Sequence, residues 1–418
     1  MADDSGSDSF EDEGISSEDI LDVIEFEEDE NENPEALAGE MGEMDLEPGD
    51  HGNFSEDDDD DDDGAMAGID DLPDDADVCF KEHSASVFSC DVDPKTSSLV
   101  VTGGEDDKAF VWNISDGQKV FECTGHKDSV TCVAFSSDSE LLATGDMSGV
   151  IKVWKIANKS EIWSFDCSDL EWITWHPVAH VLLAGTADGN VWMWKIPTGD
   201  CKTMQGPGLQ TTTGKILLDG KRCCAGYEDG SLRVWDLKDA SVSQSFTGQS
   251  AHSGGVTSLA CHHEGSLVMS GSVDGTAKIL NPNNGKVIAT FSVGDSNSDD
   301  SNSVEAVGFC NSLPLAAVGS LNGFLTIWDI STQKLRNQCK HEAGIVRLQW
   351  DLSSPMVYTS CLDGSVRLWD GRSGQLLTLW SGHVAEILDM TLTRDGNSLV
   401  TASGDSTARV FTVNKPDR

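Results

Sequence analysis

The sequence of 418 residues predicts an all-β chain, in which a long acidic leader precedes eight copies of one β-rich unit. Three observations predict it. One pattern returns at intervals of 40 to 48 residues, apolar residues alternate on both sides of a turn in each copy, and five copies carry a histidine at nearly constant distance before that turn. A period of that size marks a repeat architecture rather than separate ordinary domains.

The leader runs from Met1 to Asp77. It holds 34 of the 73 acidic residues and no base, the first being Lys81. From Val78 onward 39 acids face 27 bases, within a formal net charge of −46. Acids, Gly, Ser, Ala and Asn dominate the leader, and Asp57 to Asp63 is an unbroken aspartate run. Such a segment buries too little apolar surface to offset its ordering entropy, so residues 1–77 are predicted to be disordered. One island differs: Ser17 suits a helix N-cap, and Ile20, Val23 and Ile24 share a helical face. It reads either as a segment that folds against a partner or as a few apolar residues in a solvated tail. Ser9, Ser16 and Ser55, each three residues before an acid, resemble acidophilic casein-kinase sites.

The charge excludes several function classes. An acidic chain is repelled by nucleic-acid phosphates and anionic membranes, so no direct nucleic-acid contact and no membrane insertion are expected, and basic protein partners are favoured. No apolar run approaches the roughly 18 residues of a spanning helix, and the acidic N-terminus is unlike a signal peptide. The expected location is the cytoplasm, with the nucleus as a second address. The 12 cysteines form no CxxC pair, which speaks against a zinc site or disulfide framework and for reduced, mostly buried thiols.

The eight units occupy residues 78–418. They close at Trp112, Trp154, Trp194, Trp235, Leu280, Trp328, Trp369 and Phe411, each six residues after a turn residue: Asp106, Ser148, Asp188, Asp229, Asp274, Asn322, Asp363 and Asp405. Apolar alternation around that turn marks a hairpin, and runs such as Val130 to Phe135 supply a further strand. His83, His126, His252, His341 and His383 precede their turns by 22 or 23 positions.

These spacings resemble the WD-repeat family, with Trp-Asp pairs at Trp235-Asp236, Trp328-Asp329 and Trp369-Asp370 and Gly-His pairs at Gly125-His126 and Gly382-His383. The resemblance implies an eight-bladed β-propeller whose blades each hold four strands. The chain stops soon after Phe411, so Val78 to His83 is expected to supply the last blade's missing strand and close the ring.

Recurring His, Thr and Asp residues raise the question of a hydrolase, which needs a nucleophile, a base and an orienting acid. A catalytic set would occur once. Here His83, Thr102, Asp106 and Trp112, and again His341, Thr359, Asp363 and Trp369, match the family's structural tetrad, in which His links the carboxylate to a hydroxyl that also serves the indole. Units closing at Trp194, Trp235 and Trp328 lack the His and have Ala184, Ala225 and Val318 where the hydroxyl belongs. No enzymatic activity, cofactor or metal is therefore expected; His262-His263-Glu264 reads as a hairpin turn, and no phosphate-binding GxxxxGK[ST] occurs.

Loops after each histidine and the turns between second and third strands share one propeller face. By register this face collects Glu105, Asp128, Asp169, Glu171, Glu228, Glu305, Glu342 and Glu386, with Lys127 as the base among them. It is either an ordinary solvated rim or a negative surface that reads a basic peptide, with Trp172 as an exposed anchor. An acidic leader on an eight-unit propeller resembles the angio-associated migratory cell protein family, related to a fungal chaperone of a basic large-subunit ribosomal protein. That resemblance implies a monomeric, protein-binding chaperone or assembly factor with a ribosomal-protein client; the family's name implies a signalling or cytoskeletal scaffold in cell migration as the alternative.

Overall fold

A computed structural model describes residues 73–293 and 302–413. The predicted disorder of the leader before Pro73 and the helical island at Ser17 to Phe26 lie outside the described residues. Among the described residues, 32 strands form eight four-stranded antiparallel sheets, and no helix is long and apolar enough to cross a membrane. The structure is an eight-bladed β-propeller.

Each blade is one meander. Blade 1 runs Val87–Val92, Leu99–Gly104, Ala109–Asn113 and Lys119–Cys123 from channel to periphery. Blades 2 to 7 follow with innermost strands Val130–Phe135, Leu170–Trp175, Thr211–Ile216, Val256–Cys261, Val304–Phe309 and Ile345–Trp350. Blade 8 takes Ile387–Leu392, Ser398–Ser403 and Ala408–Thr412 from the chain's end and Val78–Phe80 from its beginning. The register Val78↔Val410, Cys79↔Arg409, Phe80↔Ala408 closes the ring, the N-terminal strand covering the outer edge of Ala408–Thr412 and giving the last blade its fourth strand. Phe80 is buried and stacks on Trp112 of blade 1, with centroids 4.9 Å apart. The segment Pro73 to Asp77, expected from composition to be disordered with the rest of the leader, is instead held on the propeller: Asp74 pairs with Arg409, Asp75 exchanges two hydrogen bonds with Ser381 in the loop entering blade 8, and the Asp77 N–H donates to Val410, because these residues lie against blade 8's own strands and loop.

Successive innermost strands touch around the whole ring. Polar side chains stitch them: Asp389 Oδ2 accepts the Cys90 N–H at 3.0 Å, Asp91 Oδ2 accepts that of Phe135 at 2.8 Å, and Gln349 Oε1 accepts that of Leu392 at 3.0 Å. Between blades lie the apolar clusters, of which one joins Phe80, Val87 and Phe110 to Val400 and Val410 across the closure.

The tetrads hold the loop end of the blades. In blade 1, His83 Nδ1 lies 3.0 Å from Asp106 Oδ1, His83 Nε2 lies 2.9 Å from Thr102 Oγ1, and Trp112 Nε1 donates to the same hydroxyl oxygen at 3.3 Å. A carboxylate only accepts, so Nδ1 carries the proton and Nε2 accepts from Thr102. Burial raises the Asp106 carboxyl, but hydrogen bonds from His83 and the Ser84 N–H outweigh it and hold it below the usual range. Blade 2 repeats the set with a different acid: His126 meets Asp146, not the turn residue Ser148, at 3.1 Å, and Thr144 and Trp154 complete it.

The second tetrad read from the sequence is assembled only in part. His341 Nε2 and Trp369 Nε1 meet the Thr359 hydroxyl at 2.9 and 3.3 Å, but Asp363 turns to Arg367, 2.9 Å away. His341 Nδ1 is left buried with no partner, and burial together with the Arg367 charge drives its pKa down to about 4. The bidentate-capable guanidinium outcompetes a neutral imidazole for the carboxylate. Where the hydroxyl is Ala184, the Trp194 indole N–H has no partner. All 12 cysteines are free thiols, most of them buried.

Candidate functional site

The face predicted from the register is built by a hydrogen bond that recurs in all eight blades. The first residue of the turn between second and third strands donates its N–H to the loop entering the innermost strand: Glu105 to Ser86, Met147 to Ser129, Ala187 to Asp169, Glu228 to Gln210, Val273 to Gly255, Leu321 to Ser303, Leu362 to Gly344 and Gly404 to Glu386. These bonds place Glu105, Asp169, Glu228 and Glu386 on one face, and the loop residues Asp128 and Glu342 belong to the same segments. All six are exposed.

Glu171 and Glu305 reach that face differently. Every innermost strand has a β-bulge at its loop end, and the two glutamates are the extra residues of blades 3 and 6. A bulge re-aims the side chain that it carries. Both glutamates, with Phe88, Thr131 and Thr257, line a central cavity of about 490 Å³. Gln210 Nε2 donates to Glu171 Oε1 at 2.5 Å, yet burial, with Asp169 and Glu228 nearby, raises the Glu171 pKa above the ordinary carboxylate range. Among the described residues none of the eight acids forms an ion pair. Lys127, the base of this face, is already paired with Asp166 at 2.8 Å.

Trp172 is not the exposed anchor expected from its place beside Glu171. It is 8% exposed, and its indole lies over Gly185 and Gly214, where any side chain would collide with it, while Nε1 donates to Thr211 Oγ1 at 3.0 Å. The bulge between Leu170 and Trp172 turns the ring into the seam between blades 3 and 4. Trp172 is core.

The register reading overlooked the apolar members of the face. Met147, Val273 and Leu362, between 43% and 52% exposed, occupy the turn position that Glu105 and Glu228 hold elsewhere, and Val384 lies in the loop entering blade 8. Their signal was available, since all stand seven residues before the closing residue or next to a marker histidine. On the opposite face Asp138, Glu140 and His180 bring donor atoms within 4.8 Å. Asp138 accepts there from the Ser136 hydroxyl, the Glu140 N–H and His180 Nε2, so the group clasps the turns of blades 2 and 3 together.

A ring of unpaired acids interrupted by exposed apolar turns, on a scaffold whose His–Thr–Asp sets face inward, defines a WD-repeat propeller with a candidate protein-docking face. The family model described as "WD domain, G-beta repeat" matches residues 77–113, 117–155, 243–281, 332–370 and 374–412. These are the five repeats with a marker histidine. The chain is 52% identical to the human "Angio-associated migratory cell protein" over 415 residues, 96% of this chain and 94% of the human one. It belongs to the angio-associated migratory cell protein family. It is also similar to the "Ribosome assembly protein SQT1" of Saccharomyces cerevisiae, at 24% identity over 82% of this chain and 88% of that one. Among solved structures, Chaetomium thermophilum Sqt1 bound to the N-terminus of ribosomal protein L10 superimposes with a TM-score of 0.74 at 25% identity, covering 82% of this chain and 100% of that one.

Proposed function

We propose that this protein is a non-enzymatic chaperone or assembly factor that holds a basic segment of a large-subunit ribosomal protein on its acidic loop face. The observation that carries the reading is the cluster of Asp169, Glu171 and Glu228: burial first, and the two neighbouring acids after it, raise the Glu171 carboxyl, and among the described residues no cation pairs with any of the three. A Lys or Arg side chain supplied by a client relieves that repulsion. The Chaetomium neighbour binds the N-terminus of a ribosomal protein, which supports the same client class here. Acidic side chains then occupy a segment that would otherwise bind RNA or aggregate, and ribosomal RNA displaces them on assembly. Such a factor acts as a monomer in the cytoplasm, where ribosomal proteins are made, with the nucleus as a second site.

The scaffold reading has one observation in its favour. Val242, Ile288, Leu335, Leu376 and Leu379, on the outermost strands of blades 4 to 7, are each about 40 to 50% exposed and leave apolar side chains for a partner along that half of the outer edge.

The test changes Asp169, Glu171, Glu228 and Glu342 to Lys together, because one exposed ion pair contributes only about 0–1 kcal/mol. Calorimetry with the N-terminal segment of ribosomal protein L10 at two salt concentrations should show tight, salt-sensitive binding to the wild type and none to the folded variant. Unchanged affinity and salt slope would remove the acidic face from the account.

A further inference from the structure

The turns of the loop face are mixed, with Met147 and Val273 exposed on the blades that flank blades 3 and 4, but the bulge residues of the innermost strands are divided. Around the ring, the eight bulge residues are Phe88, Thr131, Glu171, Thr212, Thr257, Glu305, Val346 and Leu388. The apolar ones belong to the adjoining blades 7, 8 and 1, and all three are partly exposed. The same sector holds Leu362, 43% exposed, and Val384, 52% exposed. Leu362 leans over Gly344, whose missing side chain would otherwise meet the leucine at 3.1 Å. Blade 3, which carries Asp169 and Glu171, stands four blades away from blade 7 in an eight-bladed ring, so these acids and Leu362 of blade 7 lie on opposite sides of the central cavity.

We propose that this face recognises an amphipathic basic segment, whose cationic side chains sit on blades 3 and 4 while an aromatic or large aliphatic side chain a few residues along the same chain covers Leu362 and Val384. This rests on the client-binding reading above and adds the client's pattern to it. Two chemistries share the face, and each alone is weak: exposed ion pairs contribute little, and an apolar contact of this size offers no charge selectivity. Used together across a gap of fixed width, they select spacing as well as charge, since only a segment with both groups at the right separation satisfies both sides. Charge complementarity decides the occupant. An apolar segment with acidic flanks, such as the chain's own residues 17–26, would have to lie against Glu342 and Glu386 beside the apolar sector, and like charges there are unfavourable.

Two synthetic peptides serve as probes: a Lys/Arg–Gly repeat, and the same repeat with one Phe substituted near its C-terminal end, scanned over successive positions. Fluorescence anisotropy with the full-length chain should show at least a tenfold tighter Kd for one or two Phe positions. In the Leu362→Ser/Val384→Ser variant, whose substituted positions are exposed and whose melting curve should match wild type, that gain should disappear while the salt slope stays the same. The fourfold Lys variant should lose both peptides. A Phe gain that survives the Leu362→Ser/Val384→Ser change, or no gain at any position in the wild type, overturns the divided face while leaving the acidic face standing. Undiminished binding of the Gly-repeat peptide to the fourfold Lys variant overturns the acidic face instead.

Discussion

Asp91 shows how one side chain couples ring integrity to pH. Its carboxylate accepts N–H groups from Val92 and from Phe135 of the next blade, while Asp389 bridges Arg347 of blade 7 to Cys90 of blade 1. Burial, with Asp389 nearby, raises the Asp91 pKa to about 7 against an ordinary 3.8. Between those values the folded chain keeps a proton that the unfolded chain has released, so stability contributed here is full below the unfolded value and declines as pH rises towards 7. The variant Asp91→Asn should flatten this part of the melting temperature against pH between 4.5 and 7, whatever its absolute stability. Parallel curves for variant and wild type would contradict the assignment. Other residue-level features were illegible for a common reason. The choice of Asp146 over Ser148 by His126, the capture of Asp363 by Arg367 and the inward turn of Trp172 all depend on which neighbour a side chain meets in space, and register gives only its position along the strand.

At the scale of elements, much more was legible, because a hairpin needs only local alternation and a turn residue, and eight copies reinforce one another. The strand borrowed from the N-terminus was readable for the same reason: Val78 to His83 copies the approach to His126. What remained hidden was the bulge at the loop end of every innermost strand, which leaves no mark in composition yet carries Glu171 and Glu305 to the cavity mouth. The closing strand is only three residues long, so its hold lies in side chains: Phe80 on Trp112, Asp74 on Arg409, Asp75 on Ser381. Deleting residues 1–70 should therefore leave the cooperative thermal transition in place, whereas deleting 1–83 should lower it sharply or broaden it. Phe80→Ala in the full chain should cost about 3–5 kcal/mol in denaturant titrations, as for other fully buried aromatic truncations. Identical melting of the two deletions would show that the ring does not need its borrowed strand.

For the whole molecule, charge separates two tasks that the fold keeps apart. The propeller from Val78 carries 39 acids and 27 bases, and many of those acids are spent on structure, in tetrads, turn caps and blade-to-blade bridges; among the described residues the eight face acids form no ion pair. The leader has no bases to compensate its 34 acids, and Pro73 delivers it to the ring next to Ser381 and Gly382, in the loop entering blade 8. The Asp57 to Asp63 run ends ten residues before Pro73 in the sequence. A run of like charge tethered to the chain raises the local concentration of a basic segment, and its influence reaches only about 8–10 Å through physiological salt. Replacing Asp57 to Asp63 by alternating Gly and Ser should then slow association with a basic client severalfold at low salt and leave dissociation unchanged, with the difference vanishing near 0.5 M salt; stopped-flow traces at several salt concentrations measure both rates. A change confined to the dissociation rate would place the aspartate run in the bound complex rather than on the route to it.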